Sequence, residues 1–363
     1  MLLSIVGNRP QFIKMAPISA ELRMRGLADV IVHSGQHYDE NMSDIFFKEM
    51  DIPKPEISLT NTERSHSRMT AEIMVKMEEV FLERKPTGVV IYGDTNTTLA
   101  AALVAVKMHI PIAHVEAGPR IYDLDTPEEI NRLVADHASR LRFCPDAPSV
   151  ENLKKEGITR GVHLTGDLMY DSFLHFLPRA KAVSTVLDRC GLKGQEYALV
   201  TIHRPNNTDD PVAIKRLVEL CERSPMKLLF AVHPRTKAAL QRENQWERLS
   251  ALAHVRITEP LGYLDILAAL DGASLVITDS GGLQKEGYFA RKPVVNLFYI
   301  SPWPLVVADG WINPIGCLSE ISADTVLAAM RDARPGCEGG DYFGDGRAAK
   351  KIVDLLVEQG FTK

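Results

Sequence analysis

The chain is poor in the features that would give it a metal centre, a membrane span or a disulfide framework. Its five cysteines, Cys144, Cys190, Cys221, Cys317 and Cys337, are far apart and form no Cys-x-x-Cys pair. That argues against a zinc site or a disulfide scaffold and suits the reducing cytoplasm. No His/Asp spacing makes a metal set. No apolar run nears the roughly 18 residues of a membrane span. Basic and acidic residues number 42 and 47, a net charge of −5, so nothing points to nucleic acid or an anionic membrane surface. The Gly-x-Gly-x-x-Gly fingerprint is missing, so a dinucleotide cofactor is not supported. Leu2-Leu3-Ser4-Ile5-Val6 lacks a basic leader and reads as a first strand. No internal repeat or low-complexity tract stands out.

What is present is alternation. The 363 residues suit two domains at about 150 residues each. Leu2–Val6, Val30–His33, Gly88–Tyr92, Pro111–Val115, Leu141–Cys144 and Gly161–Leu164 read as strands. Helical stretches separate them, near 11–25, 41–50, 69–83, 97–108, 128–139 and 148–156. The pattern restarts after Gly166. Tyr197–Ile202, Leu228–Val232, Val255–Ile257, Leu275–Thr278 and Val294–Leu297 read as strands among helices near 169–177, 212–222, 237–244 and 263–270. Near-continuous apolar strands between helices imply parallel, doubly wound α/β sheets. The expectation is two Rossmann-like domains, residues 1–167 and 168–345, facing a cleft at their strand C-terminal ends, where such folds bind ligands. A last helix over 346–363 would pack back on the first domain.

One stretch carries the strongest chemistry: Leu275–Thr278, then Asp279-Ser280-Gly281-Gly282, then a helix. Ser280 can cap that helix, and Gly281 and Gly282 let a ligand approach the backbone. The free N–H groups and dipole at such a helix start attract phosphate. Glu286 lies within reach of ribose hydroxyls beside it. In the first half, Arg9 and Lys14 flank a helix start and suit an anion. Asp94 ends one strand, with Thr95 as the next cap, and Glu116 ends its neighbour. Glu128 opens the following helix in Pro127-Glu128-Glu129. His203 and His233 end two strands beside arginines, a pattern suited to anion handling and proton transfer. Each of these has an ordinary structural explanation as a cap or turn. His33, His37 and His114 have no assigned role.

Taken together, these residues resemble the non-hydrolysing UDP-N-acetylglucosamine 2-epimerase family, nearly end to end. The likeness rests on Gly-Asn-Arg-Pro-Gln-Phe-Ile-Lys at 7–14, Gly-Gln-His at 35–37, Gly-Asp-Thr-Asn-Thr-Thr at 93–98 and His-Val-Glu-Ala-Gly at 114–118. It continues through Pro-Glu-Glu-Ile-Asn-Arg at 127–132, His-Arg at 203–204, Asp-Ser-Gly-Gly-Leu-Gln-Lys-Glu at 279–286 and Gly-Asp-Gly at 344–346. The resemblance implies a GT-B-like pair of domains, a homodimer, a UDP-sugar substrate and no nicotinamide. It implies UDP binding by Arg9, Ser280, Gly281, Gly282 and Glu286, and catalysis by Asp94, Glu116, Glu128 and His203. The family reaction eliminates UDP to a 2-acetamidoglucal and adds it back after C2 is protonated on the other face.

The sequence also departs from the family. A charged Arg…Thr-Glu-Arg-Pro-Glu loop is replaced by Phe298-Tyr299-Ile300-Ser301-Pro302-Trp303-Pro304-Leu305. Tyr38-Asp39-Glu40 and Pro205-Asn206-Asn207 stand where bacterial members regulated by substrate have other residues, so such regulation is not expected. The Trp303 loop and Gly-Tyr-Leu at 262–264 look like the branch acting on UDP-2,3-diacetamido-2,3-dideoxy-glucuronate. That epimerase, a hydrolysing epimerase, a GT-B glycosyltransferase and a nucleotide-sugar-binding relic are the other readings. The retained Asp94, Glu116, Glu128 and His203 weigh against the last.

Overall fold

The computed structural model describes residues 1–36, 46–63, 65–337 and 340–363. The chain divides into two compact units, Met1–Leu174 with Asp341–Lys363, and His175–Gly340.

In the first unit, short apolar runs form Leu2–Val6 (β1), Asp29–His33 (β2), Ile57–Ser58 (β3), Gly88–Tyr92 (β4), Ile112–Val115 (β5), Leu141–Cys144 (β6) and Val162–Leu164 (β7). They pair in parallel in the order β3-β2-β1-β4-β5-β6-β7. Every residue of β1 and β4 is buried, as expected of strands covered on both faces. The order reverses between β1 and β4, which opens a crevice beyond their C-terminal ends. Gly7-Asn8 follows β1 there, and Gly93-Asp94 follows β4.

Helix Arg9–Met24 leaves that crevice and contains Pro17. Proline cannot bond the carbonyl four residues back. The Ser172 hydroxyl donates to that carbonyl, Ile13 O, at 2.6 Å. The last helix, Ala348–Glu358, belongs to this unit. Its Ala348 and Ala349 N–H groups donate to the Asp171 carboxylate at 3.1 and 2.8 Å, and Arg25 reaches its Asp354 at 2.6 Å.

The second unit repeats the plan. Tyr197–Thr201 (β8), Lys227–Ala231 (β9), Val255–Thr258 (β10), Leu275–Thr278 (β11), Val294–Asn296 (β12) and Ile312–Pro314 (β13) order as β10-β9-β8-β11-β12-β13, all parallel. Its switch point lies between β8 and β11, so His203-Arg204 and Asp279-Ser280 occupy the place that Gly7-Asn8 and Gly93-Asp94 hold in the first unit. Val200, Leu217, Phe230, Ile277 and Val326 pack in its core.

Several elements differ from the sequence expectation. Helix Leu168–Val183 runs past Leu177 and through Pro178, because Phe176 and Ala180 are buried on either side of the proline. Helix Ala323–Asp332, capped by Ser322, and the short pieces Val186–Arg189, Pro205–Thr208, Trp246–Ser250 and Pro304–Ala308 were not anticipated. Of the helix expected near 41–50, residues 46–49 are helical and 41–45 lie outside the described residues, as do His37 and Tyr38-Asp39-Glu40. Among the described residues no helix is long and apolar enough to cross a membrane.

Candidate functional site

At the switch point of the first unit, Asn8 caps helix Arg9–Met24 with its side chain accepting from Gln11 N–H. Gln11 is buried and fixes the neighbouring turn: its amide donates to Tyr92 O at 2.8 Å and to Thr95 and Thr98 hydroxyls at 3.0 Å. Thr95 caps helix Asn96–Lys107 in a capping box with Thr98. Asp94 therefore leaves a turn held at both ends. Arg9 lies over the Phe46 ring at 4.8 Å.

Two carboxylates stand at the ends of neighbouring strands, each with its own cation. Glu116, beyond β5, meets Lys14 Nζ at 2.6 Å, with both side chains largely buried. Its backbone sits at φ 62°, a left-handed conformation uncommon for glutamate and frequent at functional sites. Asp94, beyond β4, pairs with Arg132, which also holds Glu129 at 3.0 Å. Burial pulls against the Arg132 charge, but Asp94, Glu129 and Glu116 outweigh it and raise its pKa. Gly93 leaves these groups room, since a Cβ there would lie 3.2 Å from Lys14 Nζ. Val115, Phe143, Thr165 and Leu168 line a depression beside Lys14 and Glu116.

Glu128 is exposed at the first turn of helix Pro127–Ala138. Its neighbour Glu129 is fully buried and accepts from Ile121 and Tyr122 N–H groups at 3.1 and 2.9 Å. The structure thus groups Lys14, Asp94 and Glu116 around Arg132, with Glu128 at the solvent side of the same helix.

In the second unit Asp279 is the anchor. Fully buried, it accepts from Arg204 N–H at 2.8 Å and Asn207 Nδ2 at 3.0 Å. Its Oδ1 lies 3.1 Å from His203 Nδ1. Burial would raise its pKa, but His203, Asn207 and the Arg204 amide together lower it to about 2. Ser280 caps helix Gly281–Phe289 through Leu283 N–H. A Cβ at Gly281 would meet nothing within 4 Å, so its glycine is not required by packing and leaves the helix start open to a ligand. Glu286 is buried in the second turn. His233 lies just beyond β9 and caps helix Pro234–Arg242, with its ring 5.5 Å from that of His203.

Loop 298–305 has an aromatic role. Arg204 stacks on Phe298 at 4.4 Å and Lys285 on Trp303 at 4.1 Å, while Trp303 Nε1 donates to Gly281 O at 3.0 Å. Sequence reasoning missed Arg132, Glu129 and Asp279 as organising groups. An acid ending a strand, as Asp279 does, was the signal for one of them.

A family model described as UDP-N-acetylglucosamine 2-epimerase matches residues 20–357. The chain is 40% identical over 357 residues to a UDP-N-acetylglucosamine 2-epimerase homolog of Methanococcus maripaludis, covering 98% of this chain and 99% of that protein. It is 38% identical to a UDP-2,3-diacetamido-2,3-dideoxy-D-glucuronate 2-epimerase of Pseudomonas aeruginosa, over 98% and 99% of the two chains. The crystal structure of Methanocaldococcus jannaschii UDP-GlcNAc 2-epimerase in complex with UDP-GlcNAc and UDP matches with a TM-score of 0.92 at 35% identity, covering 99% of this chain and all (100%) of that one. On the length of the family match and the identity of these relatives, the chain belongs to the UDP-N-acetylglucosamine 2-epimerase family and is an epimerase.

Proposed function

We propose that this epimerase interconverts UDP-GlcNAc and UDP-ManNAc without hydrolysis, as a cytoplasmic homodimer supplying surface polysaccharide synthesis. A base removes the C2 proton, the C1–O bond to UDP breaks, and C1=C2 forms as a 2-acetamidoglucal. A proton then enters C2 from the other face and a UDP oxygen re-forms the bond to C1. Inversion at C2 needs an acid/base group for each face, and each such group is typically worth about 10²–10⁴-fold. The observation that carries the reading is the pair Asp94 and Glu116, at the ends of adjacent strands and each on its own cation. Asp94, Glu116 and the exposed Glu128 are assigned to proton transfer. Arg9, Lys14, His203 and His233 handle the diphosphate charge. Ser280, Gly281, Gly282 and Glu286 hold UDP, supported by the unfilled space over Gly281.

The test is NMR of the products formed from UDP-GlcNAc in D₂O. Epimerised product carrying deuterium at C2 is expected, because the proton exchanges with solvent during elimination. Product without deuterium at C2 rules the mechanism out, and free sugar with UDP indicates a hydrolysing enzyme. A second reading, UDP-2,3-diacetamido-2,3-dideoxy-glucuronate as substrate, is favoured by the aromatic 298–305 loop and by the Pseudomonas relative. The same assay with that sugar nucleotide decides between them.

A further inference from the structure

His114 has no part in the chemistry above, yet it is fully buried on β5. Its Nε2 lies 2.7 Å from Gly93 O and its Nδ1 2.7 Å from Asp136 Oδ1. A carbonyl only accepts, so Nε2 carries a proton and donates it. Gly93 O belongs to the peptide whose nitrogen is that of Asp94. The bond therefore fixes the plane from which the Asp94 side chain departs.

Asp136, also fully buried, accepts at its other oxygen from Gly118 N–H at 3.2 Å and from Arg120 at 2.8 Å. Arg120 continues to Glu156 at 2.7 Å. Burial would raise the Asp136 pKa, but His114 and Arg120 outweigh it and lower it. One buried carboxylate thus ties down two pieces of backbone. It holds Gly118, just past Glu116, directly, and it holds Gly93-Asp94 through His114.

We propose that His114 is a positioning residue: by clamping the Gly93 carbonyl it sets Asp94 where proton transfer at C2 requires it. This rests on the functional reading given above. A misplacement of about 1 Å in such a group costs on the order of 10²-fold in rate. The competing account is that His114 merely satisfies polar groups in the interior.

Two substitutions separate the accounts, because the amide nitrogen of glutamine falls near Nε2 and that of asparagine near Nδ1. His114→Gln keeps a donor for Gly93 O, and His114→Asn keeps only the one for Asp136. His114→Gln is expected to retain kcat within about tenfold and His114→Asn to lose about 10²-fold, with KM moved no more than about threefold. The Asp94 backbone amide resonance, read by ¹⁵N–¹H NMR on ligand-free protein, is expected to shift in His114→Asn and stay in place in His114→Gln. That readout needs no turnover, so it decides the point even if wild-type protein fails to epimerise UDP-GlcNAc, the result that would sink the functional reading instead. Equal kcat losses in the two variants, a loss confined to melting temperature, or an Asp94 amide unmoved in His114→Asn overturns the proposal.

Discussion

Asp279 holds His203 twice: its carboxylate accepts from the His203 backbone N–H at 3.1 and 3.0 Å and lies 3.1 Å from ring Nδ1. The second nitrogen of the ring is thereby turned away from the anchor. The folded carboxyl titrates at about 2, below its ordinary 3.8. Between those values the unfolded chain binds more protons, so stability rises with pH across the window. The stabilisation is complete above about pH 4 and is lost on acidification through about pH 2. The span corresponds to about 2 kcal/mol. Urea melts between pH 2 and 5 should show this slope in wild-type protein and lose it in Asp279→Asn. Parallel curves for the two proteins would exclude the pairing.

The adjacent acids Glu128 and Glu129 should separate cleanly. Glu129 is fully buried, bonded to Arg132 and two backbone amides. Removing a buried hydrogen-bonded charge leaves partners unsatisfied, typically at a cost of about 3–5 kcal/mol. Glu129→Gln is therefore expected to lower the melting temperature strongly. Glu128 is exposed, so Glu128→Gln should melt as wild type and lose about 10²-fold in turnover if it transfers a proton. Normal turnover in Glu128→Gln would remove it from the chemistry.

That pair shows what the sequence can and cannot convey. Parallel strands buried on both faces are unbroken apolar runs, so Gly88–Tyr92, Leu141–Cys144 and Leu275–Thr278 are readable at both ends. Two-residue β3 and proline-containing β13 are too short for any periodicity to register. Helix Pro127–Ala138 misleads in a different way. Its Ile130 is 40% exposed while Glu129, Asn131 and Asp136 are buried. Because this helix buries polar residues and exposes an isoleucine, hydrophobic spacing points its phase the wrong way. Helix Ala323–Asp332 did have a signal, a Ser322 cap ahead of Val326, Leu327 and Met330. The ends of β1, β4, β5, β8 and β11 were legible because chemistry-bearing residues follow each apolar run. The buried partners Arg132, Asp136 and Glu129 were not, since their roles depend on tertiary contacts that no local pattern encodes.

Trp303 should support nucleotide binding indirectly. Its indole N–H donates to Gly281 O and its ring carries the buried Lys285 ammonium. Trp303→Phe keeps an aromatic face for Lys285 and drops the hydrogen bond, worth about 0.5–1.5 kcal/mol. The start of helix Gly281–Phe289 would then loosen, and UDP affinity should fall by up to about tenfold. Calorimetry with UDP checks this, and unchanged affinity would disconnect the loop from the helix start.

Asp171 should give the first unit a pH dependence opposite in sign to that of Asp279. Burial, reinforced by Asp167 and Asp345, pushes its carboxyl from 3.8 up to about 6, against the pull of the Ala348 and Ala349 amides. Between those values the folded protein holds a proton that the unfolded chain has released. Stability therefore falls as pH rises from about 4 to about 6, and the cost persists above it. Asp171→Asn keeps an acceptor oxygen for the helix amides and removes the titration. The melting temperature of the variant minus that of wild type should accordingly increase between pH 4.5 and 7. Hydrogen exchange at Ala348 and Ala349 locates the effect: in wild type their protection should weaken as pH rises through this window, after correction for intrinsic exchange, and in Asp171→Asn it should stay level. A difference in melting temperature that shrinks with pH would mean that the Ala348 and Ala349 amides outweigh burial and hold the Asp171 carboxyl in its charged form.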